Sequence, residues 1–242
     1  MEIIKDIPFI LNTPALLERV HLRPGSEDAH EFEQLLHLAR KIGKPKAIYT
    51  EAYVELSDDD SVSLNGIRFT SPMLRNNLTN IDRIFAYVAT CGREMDQVTL
   101  VDANILAIFW WDAIKESLLV TASQYLSGLL ERRYQLKKTA SMNPGSGDVN
   151  VWPIEQQREL FALLGDVRGQ IGVELTDSFL MIPNKTVSGI LFPTERDFRT
   201  CQVCHRKNCQ NRRAPFDQVL WESIQHEERS QDAPDHRKQH AN

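Results

Sequence analysis

Three of the four cysteines in this 242-residue chain fall within nine positions, Cys201-Gln202-Val203-Cys204-His205-Arg206-Lys207-Asn208-Cys209, and the fourth, Cys91, stands far upstream. No other feature constrains the fold as tightly, because thiols that met at one point would tie together segments more than a hundred positions apart. In a reducing compartment, clustered thiols read as metal or redox ligands before disulfides. The C-x2-C pair lets two thiolates hold one ion from a single turn, Cys209 adds a third, and Cys91 is the expected fourth corner. The set Cys91, Cys201, Cys204 and Cys209 suits a closed zinc site or an iron–sulfur cluster of the 4Fe–4S type. Spacing alone does not choose between them. His205 lies between these ligands as an alternative, although histidine ligation of such clusters is the less frequent arrangement. Arg206, Lys207, Arg212 and Arg213 read either as charges that offset the thiolates or as a solvated basic turn.

The chain is 42% hydrophobic and 25% charged with a formal net charge of −5. That balance suits a globular protein and offers no broad basic footprint for nucleic acid. The first residues mix acids and a proline into their apolar run, unlike a signal peptide, and no uncharged stretch reaches the roughly 18 residues of a membrane span. The expectation is a cytoplasmic protein with no membrane and no nucleic-acid partner. One large domain is expected over residues 1–221, followed by a polar tail over 222–242 in which His226, His236 and His240 are scattered among charges.

Read in order, residues 3–10 suggest a short strand and 14–20 a short helix with Thr13 as N-cap. Ser26 opens a helix over 27–42, with acids leading, basic residues closing and Gly43 following. Residues 46–56 have strand composition, Asn65-Gly66 marks a hairpin, 73–78 form a helical turn, and 84–91 read as a buried strand ending at Cys91. Residues 96–137 are predicted mostly helical with a break near Asp102, and Ile105, Phe109, Ala113, Leu118, Leu119 and Ala122 form an apolar stripe for core packing. A glycine- and proline-bearing loop over 141–153 precedes a helix over 154–164 that stops at Gly165. Residues 173–176 are extended, and 179–183 and 186–192 read as strands joined tightly through Asn184-Lys185. No Ser-His-Asp, Walker or dinucleotide motif occurs in its required context.

Several motifs recur together after residue 142. They are Asn143-Pro144-Gly145-Ser146, Trp152-Pro153-Ile154, the run from Leu160 to Gly165, the run from Ile171 to Pro183, and Lys185-Thr186-Val187-Ser188-Gly189-Ile190. In this order and spacing the segment resembles the activation domain of cobalamin-dependent methionine synthase. It is most similar to stand-alone relatives from anaerobic bacteria that carry a cysteine cluster after the last strand.

The resemblance implies an α+β fold, a C-shaped domain whose twisted antiparallel sheet is flanked by helices. It also implies a role in docking on a corrinoid (cobalamin) protein or methyltransferase, which supplies the cobalamin, while inactive cob(II)alamin is reduced. An electron donor such as ferredoxin or flavodoxin would lie outside the chain, and the cysteine cluster would pass the electron. The alternatives are a zinc-stapled binding module without redox chemistry and a reactivation domain dependent on S-adenosylmethionine. The family's ligand loop maps to Asn143, Pro144, Gly145 and Ser146, but its arginine and tyrosine are replaced by Ser141 and Ser146. A serine hydroxyl cannot reproduce the bidentate grip of arginine on a carboxylate. Glu174, Asp177, Ser178 and Lys185 border the matching strands and are candidates for the docking face.

Overall fold

The computed structural model describes residues 1–57, 60–100, 105–146, 151–195, 198–209 and 212–222. The chain opens with β1 (Glu2–Ile4), α1 (Thr13–Arg19), α2 (Glu27–Ile42), β2 (Lys46–Leu56), β3 (Ser61–Leu64) and β4 (Ile67–Thr70). It continues through α3 (Pro72–Leu78), β5 (Arg83–Thr90), α4 (Arg93–Asp96), α5 (Ile105–Tyr134) and β6 (Thr139–Met142). The remaining elements are α6 (Gln157–Leu164), α7 (Val167–Ile171), β7 (Glu174–Leu175), β8 (Met181–Ile182) and β9 (Thr186–Pro193), with 3-10 turns at Ile154–Gln156 and Thr200–Val203. Among the described residues the main sheet has seven strands in the order β4-β3-β2-β5-β9-β6, with β1 added to β2, and all its pairings are antiparallel.

β5 sits centrally, and its unbroken apolar run follows from burial on both faces. Ile84, Ala86 and Val88 point into a core shared with α3, α6 and α7. Phe85, Tyr87 and Ala89 point into a second core under Ala122, Leu126 and Leu130 of α5. A third core joins α1, α2 and the first half of α5 around Phe32, Leu36, Trp110 and Trp111, where Phe32 meets Trp110 edge-on at 6.2 Å. The result is the expected mixture of antiparallel sheet and flanking helices.

Local chemistry explains most boundaries. Ser26 caps α2 by accepting the Ala29 N–H, as predicted. α1 is capped by Asn12, not Thr13, because the Asn12 side chain reaches the Ala15 N–H. Asn65 and Gly66 take φ of 50° and 82°, the left-handed pair that a two-residue hairpin of this twist requires.

Four expectations need correction. The first strand spans only Glu2–Ile4. Thr139–Met142 is a strand, although its residues were expected to lead into a loop, and it forms the sheet edge beyond β9. Met181–Ile182 pairs with Glu174–Leu175 in a separate two-stranded sheet and not with β9. The start of α5 was misphased: Ile105 and Phe109 are 80% and 56% exposed, while Ala107, Trp110, Trp111 and Ile114 are buried. Residues 105–111 are all apolar, so no polar residue marks the helix's outer side there. The expected tail beyond residue 222 and its three histidines lie outside the described residues.

Candidate functional site, a cysteine loop on the sheet edge

β6 is an edge strand, and an uncovered edge leaves backbone groups unpaired. The segment after β9 turns back over it. Thr200 donates its hydroxyl to the Ser141 carbonyl at 3.3 Å, Val203 is fully buried in the core beneath, and the Asp217 N–H bonds the Gln202 carbonyl at 2.8 Å. The loop 201–209 is thereby fixed beside β6.

Arg212 organises that loop. Its guanidinium donates to the carbonyls of Cys201 (2.9 Å), Ala214 (3.1 Å), Cys204 (3.0 Å) and Arg206 (2.5 Å). The planar fork of five N–H donors makes such multiple contact feasible. Arg212 therefore serves carbonyls, a role that its position among thiols does not reveal in sequence. Arg213 contributes its backbone N–H to the Cys201 sulfur at 3.4 Å. On the outer side His205 packs on Phe216 and Trp221, with ring centroids 4.6 and 4.5 Å away.

The second predicted group begins two residues after Ser141, the anchor of Thr200. The Ser146 N–H bonds the Asn143 carbonyl at 3.1 Å, and Gly145 has φ of +73°, so residues 143–146 form a turn with proline and glycine where a type II turn wants them. A Cβ on Gly145 would meet Ile154 at 2.9 Å. The Asn143 amide turns inward, donating to the Tyr87 hydroxyl at 2.9 Å and the Ser188 carbonyl at 2.7 Å. The Ser188 hydroxyl donates to buried Gln157 at 2.8 Å, which in turn donates to the Phe179 carbonyl at 3.2 Å. Burial pushes the Tyr87 pKa up, partly offset by the Asn143 bond and by the nearby charge of Arg213. Arg213 thus relates to both the cysteine loop and the turn. Of the turn, Gly145 is exposed and Ser146 half-buried, while Pro144 is buried.

Cys91 does not join the other three cysteines. Its N–H bonds the Lys185 carbonyl at 3.0 Å, just before β9 begins, whereas Thr200 is anchored at Ser141, which pairs with Leu191 near the other end of β9. Six residues of strand correspond to about 20 Å. Cys91 is fully buried in the helical core with Leu11, Met95 and Trp111. Burial, and then the Asp96 carboxylate, push its thiol up to about 12, which disfavours the thiolate that binds metal. Its apolar environment explains the misreading: a buried thiol and a ligand look alike in sequence.

Cys201, Cys204 and Cys209 are half-buried free thiols on the loop. Among the described residues, no three His, Cys, Asp or Glu side chains are placed to hold a metal ion. Among the described residues the structure does not bring the four expected thiolate ligands together. Alkylation of the native protein at pH 8 is expected to modify these three cysteines and spare Cys91, with all four reacting in denaturant. Native modification of Cys91, read by peptide mass spectrometry, would contradict this placement.

The residues expected at a docking face are largely committed elsewhere. Glu174 pairs with Arg93 at 2.6 Å and Arg168 at 3.1 Å. The Ser178 hydroxyl meets that of Thr176 at 3.1 Å. Lys185 pairs with Asp112 at 2.7 Å. Asp177 is exposed. Burial pushes the Asp112 carboxyl up, but Lys185, through its bond and its charge, and then Asn184 outweigh it and hold the pKa below the usual value. A carboxylate depressed by folding contributes stability above its unfolded pKa and loses it as pH falls through the folded one. Lys185→Met should therefore flatten the acid limb of stability against pH below about pH 4. Urea unfolding across that range checks it, and an unchanged acid limb would exclude the pair as a contributor.

Residues 117–212 match the family described as vitamin B12 dependent methionine synthase, activation domain. This range contains the end of α5, β6, the turn, β9 and the whole cysteine loop. The chain also resembles a solved structure, the MetH reactivation domain bound to AdoHcy, with a TM-score of 0.53 at 18% identity, covering 79% of this chain and 73% of that one. The chain has the methionine synthase activation-domain fold. No curated protein matches it. The matched range includes the β6–β9 edge, the turn that follows β6 and the cysteine loop that follows β9. No helix among the described residues is long and apolar enough to cross a membrane.

Proposed function

We propose that this chain docks on a cobalamin-carrying protein and supports its reductive reactivation, cob(II)alamin taking one electron to become cob(I)alamin. The observation that carries this reading is the activation-domain match over residues 117–212, which spans the turn and the cysteine loop together. The cobalamin belongs to the partner, and the electron comes from an external donor of the ferredoxin or flavodoxin type.

The finer part of the reading is an iron–sulfur cluster on the loop thiols Cys201, Cys204 and Cys209, which would have to draw together from the positions they hold here. Three thiols on one loop inside the matched range support it, and cluster potentials reach low enough for difficult one-electron reductions. Zinc on the same thiols is the competing occupant and would carry no electrons.

A second reading, reactivation dependent on S-adenosylmethionine, is favoured by the AdoHcy bound to the similar MetH structure. Ser141 and Ser146 weigh against it here, because neither supplies a cation for a carboxylate.

The test uses a methionine synthase cobalamin domain loaded with cob(II)alamin, a low-potential reductant, and the anaerobically purified full chain. Wild type is expected to speed the appearance of the cob(I)alamin absorption band at least tenfold, and Cys201→Ser to abolish that gain. Equal rates with and without the chain would overturn the proposal. Acceleration only when S-adenosylmethionine is added, ending in methylcobalamin, would select the second reading.

A further inference from the structure

Cys201 and Cys204 are the first and last residues of one turn. The Cys204 N–H reaches back to the Cys201 carbonyl at 3.4 Å, and Thr200–Val203 takes the 3-10 form, which sets residues three apart on one side. A turn of this kind keeps its end Cα atoms within about 7 Å, and a disulfide needs them about 4.4–6.8 Å apart. The pair therefore stands at the separation an S–S bond requires.

Every corner of that turn is held. One guanidinium, that of Arg212, takes the carbonyls of Cys201 at 2.9 Å and Cys204 at 3.0 Å. The Gln202 carbonyl accepts the Asp217 N–H at 2.8 Å, its side chain accepts the Arg199 N–H at 2.7 Å, and Val203 is buried in the core. The Arg213 N–H fixes the Cys201 sulfur at 3.4 Å. Both thiols are half-buried and free, within reach of a small reagent. Cys209 stands outside this arrangement, because its carbonyl accepts the Arg212 N–H at 3.2 Å and closes a different turn. Cys91 is sealed in the helical core.

We propose that Cys201 and Cys204 form a redox-active dithiol that exchanges with a small disulfide of the glutathione class. One protein thiolate attacks a sulfur of the reagent, breaking its S–S bond and releasing one thiol. The second protein thiol then attacks the mixed disulfide, forming the Cys201–Cys204 bond and releasing the other thiol. The two protein thiols lose two electrons and two protons, and the two reagent sulfurs gain them. This two-electron exchange is distinct from the one-electron reduction of cobalamin and does not rest on that reading. Pinning both ends of the turn raises the effective concentration of one thiol at the other, so the native fold favours the closed pair.

The full chain is reduced with a chelator present, desalted anaerobically, equilibrated with glutathione buffers, trapped with acidic N-ethylmaleimide and digested with trypsin. Cleavage after Arg199 and Arg206 leaves both cysteines in one peptide, residues 200–206, while residues 208–212 carry Cys209. The first peptide is expected unalkylated and two hydrogens lighter than its reduced form, the second alkylated, and dithiothreitol should restore alkylation of both. At fixed reduced glutathione, half-closure should need about tenfold less glutathione disulfide in the native chain than in the chain unfolded in urea. Cys204→Ser should stop at a mixed disulfide on Cys201, and Cys209→Ser should close as wild type does, both variants matching wild type by circular dichroism. A bond from either cysteine to Cys209, glutathione retained on both Cys201 and Cys204, or equal closure in urea would overturn the proposal.

Discussion

Gly189→Ala is expected to destabilise the protein by about 2–4 kcal/mol. Gly189 lies in β9 opposite Tyr87, and a Cβ there would strike the Met142 carbonyl and the Asn143 side-chain amide. The first is backbone of the paired edge strand and has little freedom to retreat. Forcing an extra methyl into a packed site costs about 1–3 kcal/mol. Displacing Asn143 also breaks its bonds to the Tyr87 hydroxyl and the Ser188 carbonyl, each worth about 1 kcal/mol net. Against a typical total of about 5–15 kcal/mol, that is a large fraction. A lower urea midpoint with an unchanged denaturant slope is the predicted result. A change under about 0.5 kcal/mol would mean that the Asn143 amide is not seated against β9.

The second large effect concerns Arg212. Its guanidinium holds carbonyls of residues 201, 204, 206 and 214 at once, so Arg212→Ala removes the chief clamp on the cysteine loop without touching the core. Hydrogen bonds to charged groups contribute about 1.5–3 kcal/mol when well shielded, and Arg212 is only half-buried, so a discounted net loss near 1.4 kcal/mol is reasonable. That corresponds to about tenfold more local opening. Limited trypsin digestion at the exposed Arg206 and Lys207 should accelerate by about that factor, while global unfolding shifts little. Arg212→Lys should rescue poorly, because an ammonium cannot span four acceptors in one plane. Equal digestion rates in all three proteins would remove the clamp from the account.

These two positions also mark how far the sequence could be read. The central strand, the Asn65-Gly66 hairpin and the Ser26 cap were legible because each rests on local chemistry: an apolar run, a left-handed turn pair, a hydroxyl at a helix start. Gly189 carried a signal too, since a glycine inside a strand often marks close approach of another backbone, but its partner at residues 142–143 is contributed by an edge strand too short to recognise. Arg212 was legible only as a charge near thiols. Its acceptors are carbonyls spread along the loop and beyond it, and backbone carbonyls leave no mark in sequence.

The cysteine cluster was half legible. Cys201, Cys204 and Cys209 do share a loop, and that loop follows an anchor at Ser141, two residues before the turn of residues 143–146, a link neither motif reveals alone. Cys91 lies apart from the other three because a small apolar side chain at a strand end beside Trp111 and Met95 packs as ordinary core, whereas cysteine counting treats every thiol as a ligand. The same limit applied to α5, where an unbroken apolar run at the helix start concealed which side would be exposed.

The account depends most on the claim that this molecule recognises a protein carrying inactive cobalamin. Titrating the full chain into a methionine synthase cobalamin domain loaded with cob(II)alamin, and following the cobalt electron paramagnetic resonance signal anaerobically, tests that claim most directly. The account predicts a saturable change in the cobalt spectrum at a one-to-one ratio, lost when Gly189→Ala disturbs the β6–β9 edge. A cobalt spectrum that stays the same through excess protein, with no complex on gel filtration, would contradict it.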